Sequence, residues 1–183
     1  MAAQSAEDLP EEVRSWIGQE RYTEQTTFPI EMGYVYTNLS ATENGNPLYW
    51  DAKVAEELTG GPITLPTMVS AWFRPHHWSP GRSEPAVPLQ LHFDLKDRLG
   101  LPEAVMSDNS IVFGEPIRPG DVLTTTQILY SVSPLKKTKL GTGRFWEFGV
   151  RITNQKDQLC AEERYTGFGY NRDRTGTEQG LKT

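Results

Sequence analysis

The C-terminal half of the chain alternates in polarity. From Val122 to Val132, the residues Val122, Thr124, Thr126, Ile128, Tyr130 and Val132 share one face of an extended segment. From Phe145 to Asn154 the alternation is cleaner. Trp146, Phe148, Val150 and Ile152 are predicted to point inward, with Glu147, Gly149, Arg151 and Thr153 outward. A polar turn over 154–158 then leads into a last strand from Leu159 to Tyr170. Ser110 to Phe113 reads as a short strand stopped by Pro116.

The N-terminal half follows a helical period instead. Glu11 to Ile17 predicts a short helix, opened by Pro10 and stopped by Gly18. Glu20 to Phe28 is rich in Thr, Tyr and Phe and reads as a strand. Met32, Val35, Tyr36 and Leu39 recur at helical spacing, and that helix should end near Asn44-Gly45. Asn46-Pro47 reads as a turn and Asp51 to Leu58 as a helix stopped by Gly60-Gly61. Between Pro66 and Pro75 nearly every residue is apolar or small, so Pro66 to Phe73 predicts a short helix buried on most sides. Arg74 to Val87 reads as a long loop, and Leu89 to Leu99 carries another short helix.

Helices followed by hairpin-linked strands predict an α+β fold, with the Pro66–Phe73 helix covering an antiparallel sheet. The expected organisation is a tail over 1–10, one domain over 11–170 and a second tail over 171–183. Composition narrows the function. With 183 residues the chain suits a single domain, and a net charge of −6 without a basic stripe argues against nucleic acid. The longest basic cluster, Lys136, Lys137 and Lys139, sits in a predicted hairpin end. The lone Cys160 forms no internal disulfide. No run is long or apolar enough for a membrane helix, and the N-terminus lacks a signal-peptide pattern, so a cytoplasmic location is expected. His76 and His77 lack suitably spaced metal ligands, and no metal or cofactor is expected.

Three stretches, taken in order, resemble the N-terminal type of MaoC-like dehydratase domain. They are Ala41 to Asp51 (ATENGNPLYWD), Gly60-Gly61-Pro62-Ile63 leading into Pro66-Thr67, and Glu115 to Asp121 (EPIRPGD), followed two strands later by Asn154 to Glu162. Ala71 to Trp78 and Gly141 to Trp146 resemble subunits of steroid side-chain hydratases in particular. The resemblance implies a hot-dog fold, an antiparallel sheet wrapped around a central helix. It also implies dimerisation through edge-paired sheets, an acyl thioester as substrate and reversible hydration of a 2,3-double bond. Active members carry an Asp and a His five positions apart, one orienting and deprotonating water and the other handling the α-carbon proton. Here those positions hold Asn44 and Tyr49. Asn accepts no proton near neutral pH, and a phenol with a pKa of about 10 is a poor base.

The resemblance therefore implies a chain that does not catalyse, paired with a second MaoC-like subunit that supplies the Asp and His. Its substrate would be an acyl-CoA with a bulky acyl group. The candidate substrate-binding residues are Gly61, Pro62 and Ile63 at the turn before the central helix, with Trp72 and Trp78 shaping a pocket. The turn is also a candidate source of backbone donors for the thioester oxygen. Arg118, Arg144 and the lysine cluster are weighed for CoA phosphates, with surface solvation favoured. Two alternatives remain: a homodimeric acyl-CoA binding or regulatory module, and a self-sufficient hydratase using Tyr49 or His92, the latter near Asp94 only if that segment is extended.

Overall fold

An alternating strand with one apolar face needs a cover, and this chain supplies it from two short helices. The computed structural model describes residues 9–74, 78, 80–81, 83 and 87–172. The predicted tails lie largely outside these residues, as do His76 and His77. Leu9 is buried and Asn171 closes the last strand.

The helices are α1 (Glu11–Trp16), α2 (Met32–Ala41), α3 (Pro47–Trp50), α4 (Ala52–Thr59), α5 (Val69–Trp72, entered through a 3-10 turn over Pro66–Met68) and α6 (Gln90–Arg98). The strands are β1 (Glu20–Gln25), β2 (Glu103–Phe113), β3 (Thr124–Val132), β4 (Lys136–Lys137), β5 (Thr142–Thr153) and β6 (Leu159–Asn171). They form one antiparallel sheet in the order β1-β3-β5-β6-β2, with β4 hydrogen-bonded to β5.

Trp146, Phe148, Val150 and Ile152 are buried on one face of β5, as their alternation predicts. Two clusters lie on that face. Leu91 and Leu95 of α6 pack with Trp16, Leu101, Leu129, Trp146 and Phe148. Val69 of α5 packs with Ile117, Leu123, Val150, Ile152 and Ala161. Each large side chain so buried contributes roughly 2–3 kcal/mol. The cover is therefore shared: the Pro66–Phe73 segment serves one end of the sheet and α6 the other. The apolar stretch is only about two turns long, too short to cover strands of 12 and 13 residues alone.

Four further expectations change. β2 runs 11 residues rather than four, because its exposure as an edge strand removes the alternation that would reveal its first half. β1 stops at Gln25, short of Phe28. Asn46-Pro47 opens α3 instead of a bare turn, with Pro47 at the first helical position and the Asn46 side chain accepting from Leu48 N–H. In β3 a bulge at Tyr130 breaks the alternation. Val132 consequently lies opposite Trp146 and packs in the α6 cluster, away from the face of Thr126 and Ile128.

Candidate functional site

The Asn44–Tyr49 segment is a short turn that runs into α3. After α2, whose C-cap is Thr42, Glu43 takes φ 51° and Asn44 N–H donates back to Leu39 C=O at 2.9 Å, closing the helix with its left-handed residue two positions before the predicted glycine. Asn44 Oδ1 accepts from Asn46 N–H at 3.1 Å, and Asn46 Oδ1 from Leu48 N–H at 3.0 Å. Trp50 Nε1 donates to Asn44 C=O at 2.7 Å while its ring stacks on Tyr36. Asp51 Oδ1 then caps α4. Asn44 thus acts on its own loop through its amide oxygen.

Tyr49 is half-buried and packs against the cluster of Val35, Leu39, Leu65 and Met68. Burial holds its phenol above the ordinary value, so it stays protonated at neutral pH. Among the described residues its hydroxyl has no hydrogen bond.

The Gly60–Ile63 turn is also fixed from within. Gly60 N–H donates to Glu56 C=O and Gly61 N–H to Ala55 C=O, closing α4 with Gly60 at φ 65° and Gly61 at φ 120°. The Arg118 guanidinium donates to the carbonyls of Thr59, Gly61 and Pro62. Arg118 N–H in turn donates to Asp121 Oδ2 at 2.7 Å, and Gln155 Nε2 to Asp121 Oδ1 at 2.9 Å. The backbone donors expected for a thioester oxygen are therefore already engaged at Gly60 and Gly61. Thr64 N–H is bound to Ile117 C=O, Pro66 has no N–H, and Met68 N–H bonds Leu65 C=O. The turn also offers shape. Ile63 is buried at the wall of an apolar cavity of about 90 Å³ with Pro66, Val69, Phe113, Ile117 and Cys160. Burial pushes the Cys160 thiol up to about 11, so it is not a nucleophile at neutral pH.

Trp72 stands between two regions. It packs against the cluster holding Tyr49 and also walls a cavity of about 670 Å³ with Phe28, Ile30, Tyr34, Phe73 and Arg74. Among the described residues its buried Nε1–H has no hydrogen-bond partner, and its ring meets Tyr34 edge-on at 5.4 Å. Trp78 is 74% exposed and lines none of these walls.

His92 is buried on α6, where it accepts from Trp146 Nε1 at 3.1 Å. Burial, with the Lys96 charge on the next turn, pulls the imidazole down to about 4. The helix turns Asp94 elsewhere, where it accepts from Tyr22 OH and Gln90 Nε2. His92 and Asp94 thus do not form a pair. Arg118 and Arg144 are committed inside the fold, Arg144 donating to Ser133 C=O while itself buried.

One polar group escaped the sequence reading. Glu163 is buried on the helix-facing side of β6, accepting from Ser70 Oγ at 2.6 Å and Asn109 Nδ2 at 3.0 Å. Burial, then the Glu163 hydrogen bond, raises the Tyr165 phenol. The available signal was phase: Glu163 alternates with Ala161, Tyr165 and Gly167 on the buried face. Among the described residues, no group of three or more His, Cys, Asp or Glu is placed to hold a metal ion. None of their helices is long and apolar enough to cross a membrane.

A single antiparallel sheet closed on one face by two helical segments is the arrangement of a hot-dog domain. Residues 15–163 match the family described as FAS1-like, dehydratase domain region, and the chain belongs to that family. It is 25% identical over 164 residues to a protein of Thermomonospora curvata named "Probable enoyl-CoA hydratase alpha subunit". That match covers 88% of this chain and 51% of the relative, so the chain spans about half the relative's length. Among solved structures it is similar to the ChsH1–ChsH2 complex of Mycobacterium tuberculosis, with a TM-score of 0.71 and 19% identity over 90% of this chain and 91% of that one. It is also similar to the HadBC (3R-hydroxyacyl-ACP dehydratase) complex of the same organism, with a TM-score of 0.56 and 17% identity over 84% and 97%.

Proposed function

We propose that this chain is the non-catalytic, substrate-accommodating subunit of a heteromeric enoyl-CoA hydratase acting in the cytoplasm. A partner hot-dog subunit supplies the Asp and His, and water adds to a 2,3-enoyl-CoA whose acyl group is bulky, such as a steroid side chain. The observation that carries this reading is the state of the motif on an otherwise regular scaffold. Asn44 braces its own turn, and Tyr49 packs as a half-buried phenol with no hydrogen bond among the described residues. The hydration step needs a base for water and an acid for the α-carbon, and neither position offers one.

Two findings support the partnered form. The relative in Thermomonospora curvata is named as a subunit, and two similar structures are two-protein complexes. In this reading the roles of Gly61, Pro62, Ile63 and Trp72 are to shape the pocket. Trp78, exposed in this chain, is proposed with them as a substrate-binding residue.

The experiment is co-expression with candidate partner subunits and purification on a tag carried by this chain, followed by loss of the enoyl-thioester absorbance. Recovery of a second hot-dog chain with intact Asp and His, active only in the complex, is the expected result. A homodimer that binds acyl-CoA and hydrates nothing would instead assign a binding module. A homodimer that hydrates would return the chemistry to Tyr49 or His92.

A further inference from the structure

The helix-facing side of the sheet carries an amide that the fold uses only by half. Gln127 lies on β3 opposite Val150, on the face turned toward α5 and α6. An inward amide costs free energy unless its polar atoms find partners. Its oxygen has one. Leu91 N–H, in the first turn of α6, donates to Gln127 Oε1 at 3.0 Å. Leu89 gives that helix no side-chain cap, and Gln127 takes the place of one. A backbone N–H requires an oxygen opposite it, which fixes the amide and turns its nitrogen the other way. Gln127 Nε2 has no hydrogen bond among the described residues.

The amide lines a cavity of about 30 Å³ together with Tyr22, Gln90 and Thr125. Tyr22 OH and Gln90 Nε2 both donate to Asp94, so those donors are spent. Gln127 Nε2 is left in the same wall without an acceptor. The space holds one small polar group and little more. It adjoins the cavity of about 670 Å³ beside Trp72, because Glu24, Phe73 and Thr125 line both. The larger volume falls within the range of small-molecule sites, roughly 300–1,000 Å³. The Glu24 carboxylate at the junction disfavours an anionic end group.

We infer that the two cavities form one site for a ligand with a large apolar body and a neutral oxygen at its far end. The body lies beside Trp72 and Phe73, and the oxygen accepts from Gln127 Nε2. The inference rests on the proposed function only for calling this ligand the acyl group of the thioester. It adds what that group carries at its end, a ketone or hydroxyl oxygen. Gln127 then determines specificity, since a hydrocarbon end displaces water and leaves the amide donor unpaired.

The test uses the full chain alone, so its failure is separate from failure of the hydratase reading. The probes are α-tetralone, α-tetralol and their matched hydrocarbon tetralin, each titrated to its solubility limit against isotope-labelled chain. The side-chain amide signal of Gln127, assigned through its own backbone amide, is followed by NMR. The ketone or the alcohol is expected to move that signal, and tetralin to leave it in place. The tighter of the two oxygen probes names the end group. Gln127→Glu keeps an oxygen for Leu91 N–H and removes the donor. It is expected to weaken the ketone about three- to ten-fold and tetralin by less than about two-fold. A Gln127 signal that neither oxygen probe moves overturns the inference, and wild type alone gives that answer if the variant does not fold. Equal losses for the ketone and the hydrocarbon overturn it as well. A chain that binds the ketone through Gln127, in complexes that hydrate nothing, keeps the site and removes the enzyme reading.

Discussion

The sheet beneath α6 and the Asn44–Trp50 loop are made by different means. Under α6 each residue is fitted to its neighbours. Trp146 lies across β6 where Gly167 and Gly169 leave it room, and its indole N–H is matched to the Nδ1 of a neutral imidazole. A Cβ on Gly169 would lie 2.2 Å from the Trp146 ring. In the motif loop the hydrogen bonds are short-range, between Asn44, Asn46, Leu48 and Trp50, and most of the segment is exposed. The first region holds the fold together. The second, in the proposed reading, keeps the path of the chain where active members carry an acid and a base. A fitted scaffold beside a turn-building motif supports the proposed subunit whose chemistry is done elsewhere.

The contrast can be broken most sharply at the glycines. Gly169→Ala forces a methyl into the Trp146 ring and the Leu101 Cβ, and is expected to destabilise by about 3 kcal/mol or more in urea unfolding. A loss under about 1 kcal/mol would show that this floor is loosely packed. A pH titration of stability probes the same place. His92 is neutral in the folded chain down to about pH 4 and titrates near 6.5 when unfolded. The unfolded state therefore binds the extra proton first. Stability is full above about pH 6.5 and falls by on the order of 2–3 kcal/mol as pH drops to about 4. His92→Phe should flatten that window, because protonation also sets two N–H donors against each other at Trp146.

Next comes the clamp on the Gly60–Pro62 turn. Arg118→Met leaves three carbonyls without their donor and should lower stability by about 2 kcal/mol. In the complex it is expected to raise KM more than it lowers kcat, because the turn shapes the pocket. The smallest effect is expected in the motif. Tyr49→Phe removes a hydroxyl with no partner and should change stability by less than about 0.5 kcal/mol. A larger loss would mean that the loop is as tightly fitted as the floor.

Much of this contrast could be read from the chain. The β5 alternation was visible because one face meets α5 and α6 and the other does not. That Asn44 and Tyr49 offer no base at neutral pH could be read from side-chain chemistry alone. The first half of β2 was hidden because an edge strand exposed on both sides has no polarity pattern. The Tyr130 bulge was hidden because an inserted residue leaves composition unchanged, yet it moves Val132 to the other face. The cavity beside Trp72 depends on the meeting of 24–31, Tyr34 and 71–74, which are distant in sequence. Arg118 was weighed as a phosphate ligand, because nothing local shows that three carbonyls from another loop converge on it.

The most direct measurement is hydration kinetics of the reconstituted complex with substitutions placed on one subunit at a time. Replacing the partner's Asp or His should abolish turnover, while Asn44→Ala and Tyr49→Phe in this chain leave kcat within about two-fold, since in the proposed reading neither side chain acts on a reacting atom. A complex that survives loss of the partner's Asp and His but fails on Tyr49→Phe would contradict the account and place the chemistry in this chain.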